Sequence, residues 1–423
     1  MRFIADLHIH SKYSRATSRE ISPESISRWA QLKGVSVIGA GDFTHPEWLR
    51  ELKEKLEPEG NGLFGLKKSL QSHSVTEKCR ADVHFLLTTE ISCIYRKNEK
   101  TRKIHSLVFV PDFVDAGKIN AALSKVGNLK SDGRPILGLD ARELLKIVLD
   151  ASPDAMFVPA HAWTPHFSVF GSASGFDTLE ECFEELSPHI HAIETGLSSD
   201  PPMNWRLSTL DSITLISNSD AHSPAKIGRE ANIFDTGISY DAITDAIRTK
   251  RGFVGTVEFF PEEGKYHYDG HSTCETSLLP KETIKNNYLC PVCGKKVTVG
   301  VMHRVEKLAD RAEGFRPESS PDFYSLIPLP EIIAQVLAVG VNSKAVEKEY
   351  FSLLEKLGNE LSILMDYPVA EIEKASSPKI AEAISRMRRG EVYIEPGYDG
   401  EYGKIKIFEK VKRKEIKGQK PLF

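Results

Sequence analysis

Cysteine is scarce in this chain, with 6 in 423 residues, and so are tryptophan (4) and methionine (6). So few cysteines in so long a chain exclude a disulfide framework. Cys79, Cys93 and Cys182 are scattered and read as buried thiols of a reducing compartment. No run approaches the ~18 apolar residues that span a bilayer. The start, Met1-Arg2-Phe3-Ile4-Ala5-Asp6, lacks the apolar stretch of a secretory signal. A cytoplasmic protein without membrane association is therefore expected. An excess of charge of one sign is also missing. The formal net charge is −4, so bulk charge selects no partner and any nucleic-acid contact must use a local basic patch. No internal repeat is evident.

What the chain does have is 40% apolar residues, enough for a sizeable core and for more than one domain. Up to about residue 258, strand-like and helix-like stretches alternate. Val35–Gly41, Val83–Thr89, Ala155–Ala160 and Ile190–Ile193 read as strands. Ser22-Pro23-Glu24-Ser25 reads as a helix start, because Ser caps and Pro is tolerated in the first turn. Alternating β and α units predict a parallel sheet. His84 lies inside an apolar stretch and reads as a core histidine.

Seven of the strand-like stretches end on, or carry, a side chain that binds metals. They supply His8 and His10, Asp42, Glu90, His105, His161, Glu194, and Asp220 with His222. Residues two apart on a strand point the same way, so His8 pairs with His10 and Asp220 with His222. Asp6 shares the parity of His8 and His10 and is expected to orient a ligand histidine. Any lone histidine is more simply a half-buried ring with a polar tip. A set of imidazoles and carboxylates at strand ends is hard to explain by packing. It fits a multinuclear site at the C-terminal face of a β/α barrel. Imidazole and carboxylate together suit Zn2+, Mn2+ or iron, with Mg2+ possible at carboxylate-rich positions. Bound ions lower the pKa of water from about 16 towards 7 and can clamp both oxygens of an in-line displacement at phosphorus. Lys12, Arg15 and Arg19 follow the first motif. They read equally as phosphate-binding cations and as a solvated loop.

Two loops interrupt this region, at 57–74 and 163–177. The second follows His161 and is rich in Ser, Gly and Phe. It suits substrate reading as well as it suits a plain surface loop.

A second metal pattern follows from residue 259. His271 and Cys274 precede Cys290-Pro291-Val292-Cys293-Gly294, which is the ligand spacing of a structural zinc knuckle. His271 is the preferred fourth ligand, with His267 or Asp269 as alternatives. A redox dithiol at Cys290 and Cys293 is the competing reading. From Arg304 the chain reads as largely helical, with Ile380, Ala383, Ile384 and Met387 at helical spacing. Residues 390–408 read as short strands around the turn Pro396–Gly400. The tail is strongly basic, which suits a nucleic-acid backbone or a solvated end. The expected organisation is a barrel at 1–258, a zinc-binding module at 259–303, a helical region at 304–408 and a basic tail at 409–423.

Asp6-Leu7-His8-Ile9-His10-Ser11, Gly41-Asp42-Phe43-Thr44-His45, Thr89-Glu90, Pro159-Ala160-His161 and Ser219-Asp220-Ala221-His222 resemble the motifs of the polymerase and histidinol phosphatase (PHP) superfamily. The resemblance implies a distorted (β/α)7 barrel, a trinuclear site and phosphoester cleavage. It implies one ion on His8, His10, Glu90 and Asp220, and a second on Glu90, His105 and His161. It implies a third on Asp42 or His45 with Glu194 and His222. The expected catalytic residues are Glu90, Glu194, Asp220 and His222. Many members carry a histidine where this chain has Phe43.

The knuckle running into Gly300-Val301-Met302-His303-Arg304, together with Pro396-Gly397-Tyr398-Asp399-Gly400-Glu401-Tyr402-Gly403, extends the resemblance over the whole chain. It is similar to the endonuclease Q family. That implies a metal-dependent endodeoxyribonuclease cutting DNA 5′ of uracil, hypoxanthine, xanthine and abasic sites. A small-molecule phosphatase of the histidinol phosphatase type is the alternative. Deamination replaces an amine with a carbonyl, so a flipped-base pocket should present hydrogen-bond donors. That pocket is expected at Phe167, Ser168, Phe170, Gly171 and Ser172, with Phe167 or Phe170 stacking. Gln419–Phe423 resembles the start of a sliding-clamp-binding peptide and implies a possible clamp partner.

Overall fold

A long β-hairpin organises the molecule. The computed structural model describes residues 1–71 and 74–408. The basic tail 409–423, with its Gln419–Phe423 segment, lies outside the described residues. Strands His84–Lys97 and Lys100–Val110 pair antiparallel, from Leu87 opposite Val110 to Lys97 opposite Lys100. The connection is two residues, Asn98 and Glu99, both with positive φ (51° and 59°). That is the turn chemistry that matches strand twist. The purely parallel sheet expected from β/α alternation is therefore interrupted, and His105 lies within an antiparallel strand rather than at a strand end.

Around the hairpin the remaining strands make a mixed sheet. Arg2–Asp6, Val37–Gly39 and His84–Lys97 run parallel, so their C-terminal directions share one face. On one side follow Ala231–Asp235, antiparallel to Arg2–Asp6, and then Phe253–Glu258. On the other side Lys100–Val110 pairs with Met156–Pro159. The parallel pair Ala192–Glu194 and Thr214–Ile216 lies between these flanks. It is tied to one by Ala162 N donating to Glu194 O (2.9 Å), and to the other by Asn232 Nδ2 donating to Ser217 O (2.7 Å).

Local chemistry sets the elements. Ser22 accepts from Ser25 N at the start of helix Pro23–Lys33, with Pro23 in the first turn. The 57–74 stretch is not all loop: Leu56–Pro58 and Phe64–Leu66 form a hairpin that joins the sheet. His84 is half-buried and pairs with Glu59 (2.6 Å), so it is not a core histidine. Phe43, like Trp48, is fully buried in the main core. Burial of such a ring stabilises by about 1.5–3 kcal/mol.

Beyond residue 300 come helices Val301–Leu308, Leu329–Leu337, Lys344–Leu357, Glu360–Met365, Val369–Ala375 and Pro378–Arg388. Ile380, Ala383, Ile384 and Met387 are buried. Strands Tyr393–Glu395 and Lys404–Lys406 pair antiparallel. Asp322–Ser325, inside the stretch expected to be helical, pairs in parallel with Phe253–Glu258 and extends the sheet. No helix among the described residues is long and apolar enough to cross a membrane.

Candidate metal centre

The parallel strands bring His8, His10 and Asp220 together, and the hairpin brings Glu90 and His105 to His161. Within each of these groups the ligand atoms all lie within 4.8 Å of one another. Glu90 joins the two groups. Its Oε2 lies 3.2 Å from His10 Nε2 and 3.6 Å from His8 Nε2, and its Oε1 lies 2.7 Å from His105 Nδ1 and 3.0 Å from His161 Nε2. A carboxylate divided in this way is placed to bridge two ions.

Hydrogen bonds behind the ligands fix which ring nitrogen faces the mouth. His8 Nδ1 lies 3.0 Å from Glu194 Oε1, and His10 Nδ1 lies 3.1 Å from Asp42 Oδ1. A carboxylate only accepts, so each Nδ1 donates and each Nε2 is turned inward. Asp42 is saturated by Ser11 N (2.6 Å), Ser11 Oγ (2.7 Å) and Ser14 Oγ (2.8 Å). Glu194 also accepts from His161 N (2.8 Å) and Asn218 Nδ2 (3.0 Å). Thr164 Oγ1 sits 2.8 Å from His161 Nδ1.

Asp42 and Glu194 thus bond the ring nitrogens of His10 and His8 that face away from Glu90 and Asp220. His45 precedes helix Pro46–Lys55 and stacks on Tyr13 at 4.3 Å. His222 is at the rim, with its ring 4.7 Å from that of His10 and Nδ1 2.8 Å from Asp220 O. Among the described residues Asp6 makes no hydrogen bond to a histidine. It accepts from Ser219 N (3.0 Å) and Gly228 N (2.9 Å), and so holds the loop that carries Asp220 and His222.

The electrostatics describe a site that wants cations. His8 Nε2, His10 Nε2 and Asp220 Oδ1 are buried without a hydrogen-bond partner. His10 Nε2 and Asp220 Oδ1 are 3.0 Å apart but misaligned. Burial opposes the charged form of His8, yet Glu194, Asp220 and Glu90 raise it well above the ordinary imidazole range. Burial likewise opposes the charged form of Glu90, but His105, Arg134 and His8 hold it well below the usual carboxylate range. Burial brings His105 down to about 4, against the pull of Glu90, which raises it. Unpartnered inward nitrogens facing carboxylates are a donor set that fits divalent ions.

The 163–177 loop is more buried than its composition suggests. Phe170 packs in the core at 5.0 Å from Trp163, so it is unavailable for stacking on a base. Ser168 is buried and donates to Thr164 O. A Cβ on Gly171 would sit 2.4 Å from Thr164 O and 2.5 Å from Ser168 Oγ. Ser172 is exposed. Phe167 is half-buried and lies 4.6 Å from the His105 ring, at the edge of the metal groups. Arg304, quoted from the sequence only as part of a motif, donates to Phe170 O (2.9 Å), Phe176 O (2.8 Å) and Asp177 (2.7 Å).

A separate group forms at His271, Cys274, Cys290 and Cys293, whose ligand atoms again lie within 4.8 Å of one another. The alternatives for the fourth position lie outside this group. Asp269 accepts from Gly300 N and His303 Nδ1 (both 2.7 Å), and His267 is buried and brought down to about 4 by that burial. Burial opposes the Cys290 thiolate, but the Cys293 and Val292 backbone amides bring the thiol down to about 6. Thiolate is the form that binds metal.

Two histidine–carboxylate groups sharing one glutamate, on this mixed α/β sheet, define a metal-dependent enzyme of the PHP class. Residues 205–251 match the PHP-associated family, and residues 328–391 match the MJ0043 C-terminal domain family. The crystal structure of the lesion-specific endonuclease PfuEndoQ from Pyrococcus furiosus is 32% identical with a TM-score of 0.85, covering 98% of both chains. The chain belongs to the endonuclease Q family. An endonuclease Q complex with a 27-mer duplex substrate, an abasic lesion at its active site, is 32% identical with a TM-score of 0.82 and covers 99% of both chains. YqxK of Bacillus subtilis is 29% identical over 421 residues, 96% of this chain and 99% of that protein. MJ0043 of Methanocaldococcus jannaschii is 34% identical over 270 residues, 61% of this chain. The match spans only 33% of that longer protein.

Proposed function

We propose that the protein is a DNA-repair endonuclease that hydrolyses the phosphodiester 5′ of deaminated bases and abasic sites. The observation that carries this reading is the end-to-end likeness to an endonuclease Q holding an abasic duplex at its active site. The ligand groups described above support it chemically. The sheet is read as a distorted (β/α)7 barrel over 1–258, followed by a zinc-binding module at 259–303 and a helical DNA-binding region at 304–408.

His8, His10, Glu90 and Asp220 would hold one divalent ion, and Glu90, His105 and His161 a second. Zn2+ suits the imidazole-rich donors, with Mn2+ or Mg2+ as alternatives. When bound, such ions supply Lewis acidity to a phosphoryl oxygen and to the attacking water. The chain's own residues do the rest. Glu194 and Asp42 keep the His8 and His10 rings turned so that Nε2 faces the substrate side. His222, at the rim, would take a proton from incoming water, while Asp220 would stay with the ion it helps to hold. Phe167 is placed to stack on an extruded base beside the scissile bond. His271, Cys274, Cys290 and Cys293 would hold a structural zinc, with no open position for chemistry.

A substrate panel tests the reading. The protein with Mn2+ is incubated with uracil-containing duplex, undamaged duplex and histidinol phosphate. Cutting of the uracil duplex alone is expected. Phosphate release from histidinol phosphate with no DNA cutting would replace the reading with a small-molecule phosphatase. Metal analysis of the same preparation against Cys290→Ser should show one zinc per chain lost.

A further inference from the structure

Phosphate contacts were expected at Lys12, Arg15 and Arg19, of which Lys12 is engaged with a carboxylate. Lys12 Nζ is 2.7 Å from Glu51 and lies over the Tyr13 and Trp48 rings. Arg15 and Arg19 are exposed. A different cation reaches the centre. Arg134 Nη1 lies 2.9 Å from Glu90 Oε2, the oxygen that also faces His8 and His10. The Arg134 side chain is 23% exposed, so it is not sealed behind the ligands but stands at their open side.

The backbone around Arg134 is fixed from both directions. Gly133 N donates to Tyr13 O (3.0 Å), and Thr44 Oγ1 donates to Gly133 O (3.3 Å). Ser92 N donates to Pro135 O (3.0 Å), and Ile136–Leu137 pairs in parallel with Ser92 and Cys93. Gly133 packs so closely that a Cβ there would sit 2.3 Å from both Asp42 Oδ2 and Ser14 Oγ. The chain therefore spends a glycine to press this loop against the carboxylate that orients His10. Position 134 is delivered to the mouth with little backbone freedom, and only the side chain can swing.

Charge decides where it swings. Once ions occupy the ligand groups, Glu90 Oε2 faces a divalent charge. A guanidinium 2.9 Å from that oxygen would then be repelled by the ion and weakly attracted by a carboxylate already neutralised. The outward direction leads to solvent, from which a phosphodiester would approach. The planar fork of a guanidinium matches two phosphate oxygens at once.

We propose that Arg134 is the phosphate-binding residue of this site: it pairs with Glu90 in the ion-free protein and turns onto the scissile phosphodiester when the ligand groups are loaded. The inference rests on the phosphodiesterase reading and names the contact that reading leaves unassigned. The test compares wild type, Arg134→Ala and Arg134→Lys, each checked by thermal melting. Three quantities are measured: Mn2+ bound per chain, affinity of the Mn2+-loaded protein for inorganic phosphate, and single-turnover cleavage of a duplex with one abasic site. For Arg134→Ala the Mn2+ stoichiometry should be unchanged, phosphate affinity should fall about 10-fold, and cleavage should fall about 100-fold or more. Arg134→Lys should lie between, since it keeps the charge and loses the fork. Unchanged phosphate affinity and cleavage in Arg134→Ala would overturn the assignment. So would loss of Mn2+ from that variant, which would make Arg134 a support for Glu90. If wild type cut no DNA yet bound phosphate in an Arg134-dependent way, the nuclease reading would fail while the assignment held.

Discussion

Asp42, His161 and Asp220 have positive φ (45°, 30° and 47°) at the mouth of the sheet. None is glycine, and each such position costs on the order of 1–3 kcal/mol. Backbone strain of this kind persists where surrounding contacts over-determine it, and it clusters at functional sites. Another cost at this scale is charge. Glu258, fully buried at the end of its strand, accepts from Thr195 Oγ1 (3.1 Å) and Ser217 Oγ (3.2 Å), while Oε1 has no hydrogen-bond partner. Burial, with Asp200 adding to it, pushes its carboxyl up to about 8. The folded state thus keeps a proton that the unfolded chain releases near pH 4–5. Stability from this group is complete below that range and is lost as pH rises towards about 8. Glu258→Gln mimics the neutral form. It should flatten the fall in unfolding free energy between pH 5 and 8 by on the order of 1–4 kcal/mol, read by urea denaturation. An identical pH slope in the variant would show that Glu258 is not held neutral. Sequence could point to Glu90 and the His8–His10 pair, because parity and strand position place them together. It could not show that Asp42 and Glu194 bond His10 and His8, since a carboxylate at a strand end looks the same whether it meets an ion or an imidazole. Arg134 left no signal, being an arginine in an ordinary loop.

Among the elements, the 163–177 loop shows how distant chain segments fix one another. Helix Val301–Leu308 carries Arg304, which is buried and holds two loop carbonyls and Asp177. The same helix starts where Gly300 N donates to Asp269, beside the four-ligand Cys/His group. Arg304→Ala would leave buried carbonyls without donors, at about 1–3 kcal/mol each. We expect at least a 10-fold loss of lesion cleavage with bound Mn2+ unchanged, measured by single-turnover kinetics beside metal analysis. Wild-type kinetics in the variant would mean the loop needs no such support. The loop was visible in the sequence as a Ser- and Gly-rich stretch, but its burial was not. Small residues mark a flexible surface loop and a tightly packed one alike, and the packing partner lies 127 residues or more further on. The hairpin was missed for a related reason. Apolar runs do not reveal direction, and Asn98-Glu99 lacks the glycine that usually advertises such a turn.

At the scale of the molecule, the region after residue 300 is built into the sheet and is not merely appended. Asp322–Ser325 adds a strand to it, and Glu360 reaches Lys33 of the first helix (2.6 Å) with both side chains buried. Tyr350 Oη and Leu329 N also donate to Glu360 (2.9 Å and 3.0 Å). Taking away one member of a buried ion pair typically costs about 3–5 kcal/mol, so this contact couples the two parts strongly. The sequence showed that this region is mostly helical, but the strand at 322–325 is too short and polar to announce itself. In the proposed function the shared metal groups cut damaged DNA on the 5′ side of the lesion. This is tested most directly by end-labelling a duplex with one abasic site, adding protein with or without Mn2+, and sizing the labelled strand. A single metal-dependent cut immediately 5′ of the lesion, leaving a 3′ end that a polymerase extends, is predicted. A cut 3′ of the lesion, or cutting undiminished by EDTA, would contradict it.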